Sequence, residues 1–81
     1  MNAIYHILYF GLLAERRGVA EESVESAACD PSAVYQEINS RHPLGMAFAD
    51  IRAAVNDEFV SRDHPLKDGD RLAFLPPMSG G

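Results

Sequence analysis

Ile4-Tyr5-His6-Ile7-Leu8-Tyr9-Phe10 sets β-branched and aromatic side chains on both alternating faces. That is the pattern of a strand covered from both sides and lying centrally in a sheet. Leu12 to Arg17 consists of helix formers and meets a stop at Gly18, which predicts one or two helical turns. The polar run Glu22-Ser23-Val24-Glu25-Ser26 then reads as a second strand at a sheet edge. Asp30 is a good helix cap and Pro31 a good first helical residue, so a helix is expected from Pro31 to about Ser40. Val34 and Ile38 form its buried stripe, and Pro43 closes it. Leu44 to Asp50 has no clear period and reads as irregular chain, with Met46 and Phe48 filling the edge of the core. Ile51 to Val55 reads as a strand, Asn56-Asp57 as a hairpin turn and Glu58-Phe59-Val60 as its return. Asp68-Gly69 is a second turn, ahead of a final strand over Arg71 to Leu75.

This order of elements predicts the α+β class: a mixed sheet with one main helix packed on one face. Any apolar side chains on the opposite face would mark a docking surface. No internal repeat or linker divides the chain, so residues 1–81 read as a single domain. A chain of 81 residues buries only a modest core, which argues against a complete enzyme with a deep private pocket.

Composition narrows the function by exclusion. Twelve acidic against seven basic residues give a net charge of −5, which repels nucleic acid and anionic membrane surfaces and suits a basic protein partner. There is no apolar run of membrane-spanning length and no secretory leader pattern, so a cytoplasmic location is expected. The single cysteine, Cys29, cannot form an internal disulfide and reads as a buried packing residue. His6, His42 and His64 have no metal-ligand spacing, and Asp63, Asp68 and Asp70 lack the calcium-loop pattern. There is no glycine-rich phosphate loop, and neither Ser61 nor Ser79 has a recognisable base partner in sequence.

The chemistry that remains is at the end of the chain, Pro76-Pro77-Met78-Ser79-Gly80-Gly81. Proline offers no N–H to a neighbouring strand and pushes Leu75 into an extended conformation, so Pro76-Pro77 stops the last strand and projects the terminal residues away from the body. Six extended residues reach at most about 20 Å, enough to enter another protein's active site. Gly80 and Gly81 add no side chain and can pass a narrow channel. A free α-carboxylate, with a pKa of about 3.3–3.7, is an anion at neutral pH and a poor electrophile. Chemistry there requires prior activation, for which an ATP-dependent partner that makes an acyl adenylate is the natural source. A frayed, incidental end is the alternative reading.

Several motifs together resemble the MoaD family, the small subunits of molybdopterin synthase. They are Ala53-Ala54-Val55-Asn56 through Phe59-Val60, His64-Pro65-Leu66, Asp68-Gly69-Asp70 and Phe74-Leu75-Pro76-Pro77-Met78-Ser79-Gly80-Gly81. The similarity extends to Ile7-Leu8-Tyr9-Phe10-Gly11 and Glu15-Arg16-Arg17-Gly18, and so covers nearly the whole chain; its C-terminal third is the most specific part.

The resemblance implies a β-grasp, ubiquitin-like fold in which the first and last strands pair at the sheet centre. It implies adenylation of Gly81 by a ubiquitin-activating-enzyme-like adenylyltransferase that uses ATP, followed by conversion to a thiocarboxylate. It further implies a heterotetramer of two small and two large subunits, each tail threading an active site of the large subunit. There cyclic pyranopterin monophosphate would receive two sulfurs as the dithiolene of molybdopterin. Carried onto these residues, Gly81 is the sulfur-bearing acyl group, Gly80 gives clearance, and Pro76, Pro77, Met78 and Ser79 lie in the partner's channel. No metal or cofactor is expected on this chain itself, and the substrate's phosphate is left to basic residues of the large subunit. Phe74, Leu75 and Phe10, next to the tail, are the candidate interface anchors. The alternatives are a carrier for another pathway such as thiamine synthesis, a ubiquitin-like modifier, or a β-grasp interaction module with an incidental tail.

Overall fold

The computed structural model describes residues 2–77. The chain runs β1 (Ala3–Tyr9), α1 (Leu12–Arg17), β2 (Glu21–Ser26), α2 (Pro31–Arg41), a 3-10 turn (Phe48–Asp50), β3 (Arg52–Val55), β4 (Glu58–Val60) and β5 (Arg71–Leu75). The strands form one sheet in the order β2-β1-β5-β3-β4. β1 and β5 are parallel, and every other neighbouring pair is antiparallel. This is the mixed sheet with one main helix that the α+β reading requires, and β1 pairs with β5 as the resemblance implied. Among the described residues, no helix is long and apolar enough to cross a membrane.

The elements form where local chemistry favours them. The Asp30 carboxylate accepts a hydrogen bond from the Ala33 amide at 2.8 Å, and Pro31 occupies the first turn of α2. Asn56 and Asp57 both have positive φ, 51° and 74°, the pair of left-handed residues that a tight two-residue hairpin needs. The expected irregular stretch over 44–50 is irregular except for the single 3-10 turn, and Met46 and Phe48 pack against the core from it.

α2 covers one face of the sheet. Val34, Tyr35 and Ile38 meet Tyr5, Ile7 and Tyr9 of β1, Ala53 and Val55 of β3, and Leu72 and Phe74 of β5. The Tyr35 and Phe74 rings meet edge to face at 5.2 Å, and Phe48 stands perpendicular to Phe74 at 6.3 Å. The polar ends of the buried tyrosines are satisfied: Tyr5 donates to the Ala28 carbonyl at 2.6 Å and Tyr35 to that of Met46 at 2.8 Å, which removes the cost of burying a bare hydroxyl.

Three expectations need correction. β1 is interior but not central, since β5 holds the middle, and only one of its faces is covered: Tyr5, Ile7 and Tyr9 are buried, whereas Ile4 is exposed and His6 and Leu8 are half-buried. Apolar residues on both faces of a strand do not reveal whether the second cover belongs to the same chain. Phe74 is 0% exposed; it is a core residue with no surface to offer as an interface anchor. Cys29 is exposed rather than packed, its thiol reaching only the Ala27 carbonyl at 3.5 Å. It lies on the loop between β2 and α2, after the alternation that would have turned it inward has ended.

Because the Asp30 carboxylate satisfies a helix donor that would otherwise be unpaired, Asp30→Ala is expected to lower stability by about 1 kcal/mol. Urea denaturation reads this directly, and an unchanged midpoint would show that the cap contributes nothing.

Candidate functional site at the base of the tail

β5 brings the chain to a fixed exit point. Its register runs beside β1 from His6↔Arg71 to Tyr9↔Phe74 and beside β3 from Val55↔Leu72 to Arg52↔Leu75. The loop ahead of it is clipped to the start of β1: Asp68 accepts from the Ile4 amide at 2.7 Å, and the Gly69 amide donates to the Ile4 carbonyl at 2.8 Å. Asn56 completes the clip, accepting from the Arg71 amide and donating to Asp70, both at 3.1 Å. At the other end, the Phe10 amide donates to the Phe74 carbonyl at 3.2 Å.

Pro76 rests on the turn between β1 and α1. Gly11 in that turn has φ of 55°, and a Cβ placed on it would lie 3.2 Å from Pro76 Cγ. Glycine therefore serves both the backbone conformation and the close approach. Pro76 is half-buried there and Pro77 is exposed. Met78, Ser79, Gly80 and Gly81, which the sequence singles out as channel residues and acyl group, lie outside the described residues.

The end of β1 that supports Pro76 is itself held by a partly buried ionic cluster. The Tyr9 hydroxyl donates to Glu22 at 2.6 Å, and Arg17 donates through two nitrogens to the same carboxylate at 2.9 and 2.7 Å. Burial alone would raise the Glu22 pKa, but the hydrogen bonds from Arg17 and Tyr9 and the Arg17 charge outweigh it and hold the carboxyl below its ordinary value. Burial, reinforced by the hydrogen bond to Glu22 and its negative charge, pushes the Tyr9 phenol well above its ordinary range. The cluster fastens α1 and β2 to the end of β1, and through it fixes the turn under the tail.

Beside the exit lies the sheet face that α2 leaves open. One row across it reads Glu21, Leu8, Ala73, Ala54 and Phe59 in register. Phe59 is 60% exposed and Phe10 is 46% exposed, while Leu75 is half-buried. Of the three anchors expected from sequence, Phe10 and Leu75 therefore keep accessible apolar surface next to the tail, and Phe74 does not. Phe59 was missed. Its alternation in the return strand was legible, but only the sheet order shows that its face is the uncovered one.

The other titratable candidates do not converge. His6 stands 3.5 Å from Glu21 on the open face, His42 ends α2, and Ser61 bonds to Asp63 within its own turn. Among the described residues, no three His, Cys, Asp or Glu side chains are placed to share a metal ion.

Comparison with known proteins places this geometry among carriers of the same shape. The ThiS family model matches residues 7–81. The molybdopterin synthase sulfur carrier subunit of Escherichia coli strain K12 is 39% identical over 80 residues, covering 93% of this chain and 96% of its own length. The crystal structure of SAMP1 from Haloferax volcanii superposes with a TM-score of 0.79 at 24% identity, over 98% of this chain and 100% of its own, a likeness of fold. A chain in the complex of subunits 1 and 2 of the molybdopterin-converting factor of Helicobacter pylori superposes with a TM-score of 0.64 at 26% identity, over 96% of this chain and 99% of its own.

The Glu22 cluster gives a pH dependence with a definite sign. A carboxyl held below its unfolded value of 4.5 contributes stability that is complete above that pH and is lost as the pH falls through the folded value. Glu22→Gln is expected to cost about 1–3 kcal/mol near neutral pH and to flatten the acid limb of the stability profile. Urea denaturation over a pH series tests it; a variant that keeps the wild-type slope below pH 4.5 would contradict the assignment.

Proposed function

This chain belongs to the ThiS family, and we propose that it is the sulfur-carrier subunit of a molybdopterin synthase, holding its sulfur on the carboxyl group of Gly81. The supporting observation is the fixed exit of β5. The central strand runs straight into Pro76-Pro77 with Pro76 braced on Gly11, so the last four residues of the chain start from a defined point beside an open apolar face. The 39% identity to the Escherichia coli sulfur carrier subunit supports the same reading.

The order of steps is set by the acid–base state of the terminus. An ionised carboxylate resists nucleophilic attack, so one of its oxygens first attacks the α-phosphorus of ATP and releases pyrophosphate. A ubiquitin-activating-enzyme-like adenylyltransferase supplies that step. A sulfide-equivalent nucleophile then adds to the acyl carbon and AMP departs with the bonding electron pair. The product is the Gly81 thiocarboxylate, and Gly80 leaves it unobstructed.

The charged carrier docks on the large subunit through the open face, with Phe10, Leu75 and Phe59 as apolar anchors. Pro76 through Ser79 then lie in the large subunit's channel. Two carriers and two large subunits make the complete synthase. The catalytic surroundings, and the groups that bind the phosphate of cyclic pyranopterin monophosphate, belong to the large subunit. This acidic chain supplies the sulfur and its delivery, and successive transfers build the dithiolene of molybdopterin.

Incubation with the activating enzyme, ATP and a sulfide source is expected to raise the intact mass by the exchange of one oxygen for sulfur. Deletion of Gly81 should preserve folding and binding to the large subunit while abolishing molybdopterin formation. Cofactor synthesis that survives the deletion would end the carrier reading.

A further inference from the structure

Of the six arginines, Arg16, Arg52, Arg62 and Arg71 form no ion pair among the described residues, and Arg52 and Arg62 are the two that border a common groove. The chain is acidic, with a net charge of −5, and two of its arginines are engaged by carboxylates, Arg17 with Glu22 and Arg41 with Glu37. Arg52 and Arg62 are both exposed and form no ion pair with a carboxylate among the described residues, although Asp50 and Asp63 are their neighbours in sequence. Each instead lies over an aromatic ring: the Arg52 guanidinium is 4.3 Å from the centre of Phe59, and that of Arg62 is 5.8 Å from the centre of Phe48. The Arg62 side chain is further steadied by a 3.3 Å hydrogen bond to Ser32. A guanidinium lying over a ring keeps its edge donors free for a carboxylate and loses less freedom when it binds one.

The two arginines border one groove of about 340 Å³, whose remaining lining includes Phe48, Ile51, Ala53 and Val60. The groove opens at the end of the sheet from which the tail departs, because Arg52 is the register partner of Leu75 and Phe48 packs on Phe74. It is also continuous with the open face, through Arg52 stacked on Phe59.

Resting on the carrier reading above, we propose that this groove receives an acidic segment of the large subunit, a carboxylate flanked by an apolar side chain. Complementarity assigns the occupant: two donor forks without carboxylates on either side of an apolar floor fit that chemistry, and a basic segment would be repelled. The acidic bulk of the chain speeds encounter with a basic partner surface, while the local pair of opposite sign fixes orientation. A carrier docked in the wrong register would direct its tail away from the channel, so Arg52 and Arg62 are positioning residues for sulfur delivery.

The test uses the full-length chain and its large subunit, with association followed by surface plasmon resonance at roughly 50 mM and about 500 mM NaCl. Arg52→Glu and Arg62→Glu are each expected to weaken the complex about fivefold at low salt, chiefly through slower association. High salt should remove most of that difference. Lys67→Glu makes the same change in net charge in the turn that precedes β5, at the end away from the tail, and should leave the affinity within about twofold. The neutral variants Arg52→Gln and Arg62→Gln should fall between the wild type and the reversals. Arginine variants that bind as tightly as the Lys67 control overturn the proposal. So does tighter binding, the mark of a groove that holds the chain's own terminal carboxylate. Failure of the wild type to bind the large subunit sinks the carrier reading and this inference together, whereas a complex indifferent to both arginines sinks the inference alone.

Discussion

The parallel pairing of β1 with β5 is the constraint from which the rest of the molecule is organised. It joins segments more than sixty residues apart in sequence, so its loop-closure cost must be recovered by packing rather than by local propensity. The recovery is visible in the contacts. Phe74 and Leu72 bury against α2, and the turn over Asp68 and Gly69 ties the start of β5 to Ile4. Once β5 holds the middle of the sheet, the exit of the tail is fixed as well, because a central strand cannot shift without disturbing both neighbours.

A carrier has to satisfy two demands that conflict in a small protein. Its reactive end must extend freely, yet a partner must find that end in a repeatable position. Here rigidity reaches Pro76, which is braced on Gly11, while the Tyr9–Glu22–Arg17 cluster stiffens the turn beneath it. The uncovered sheet face is the corresponding feature in the packing. One helix can cover one face, and apolar residues on the other, Phe59 among them, stay exposed. Arg52 bridges these features, since it is the register partner of the last residue of β5 and lies over Phe59 on the open face.

Much of this was legible in the residues. The cap at Asp30, the left-handed turn at Asn56-Asp57, the main helix and the final strand all arise from local rules, and each stands within a residue or two of its expected position. The end of the last strand was legible for the same reason: β5 stops at Leu75, and the prolines that follow act through their own covalent structure. The readings that failed depended on which side of an element would be covered. They are the double cover of β1, Phe74 as a surface anchor and Cys29 as a packed residue, and in each case the spacing is compatible with either outcome.

What the sequence determined by itself is the set of elements, their caps and turns, and the point at which the last strand stops, because backbone preferences and covalent geometry act over a few residues. Tertiary structure alone decided that β5 rather than β1 holds the centre, that Phe59 faces outward while Phe74 is buried, and that Arg52 and Arg62 border a common groove. Those outcomes depend on strand order and on the position of the single long helix. Both are settled by the summed packing of residues far apart in the chain, which no local pattern encodes.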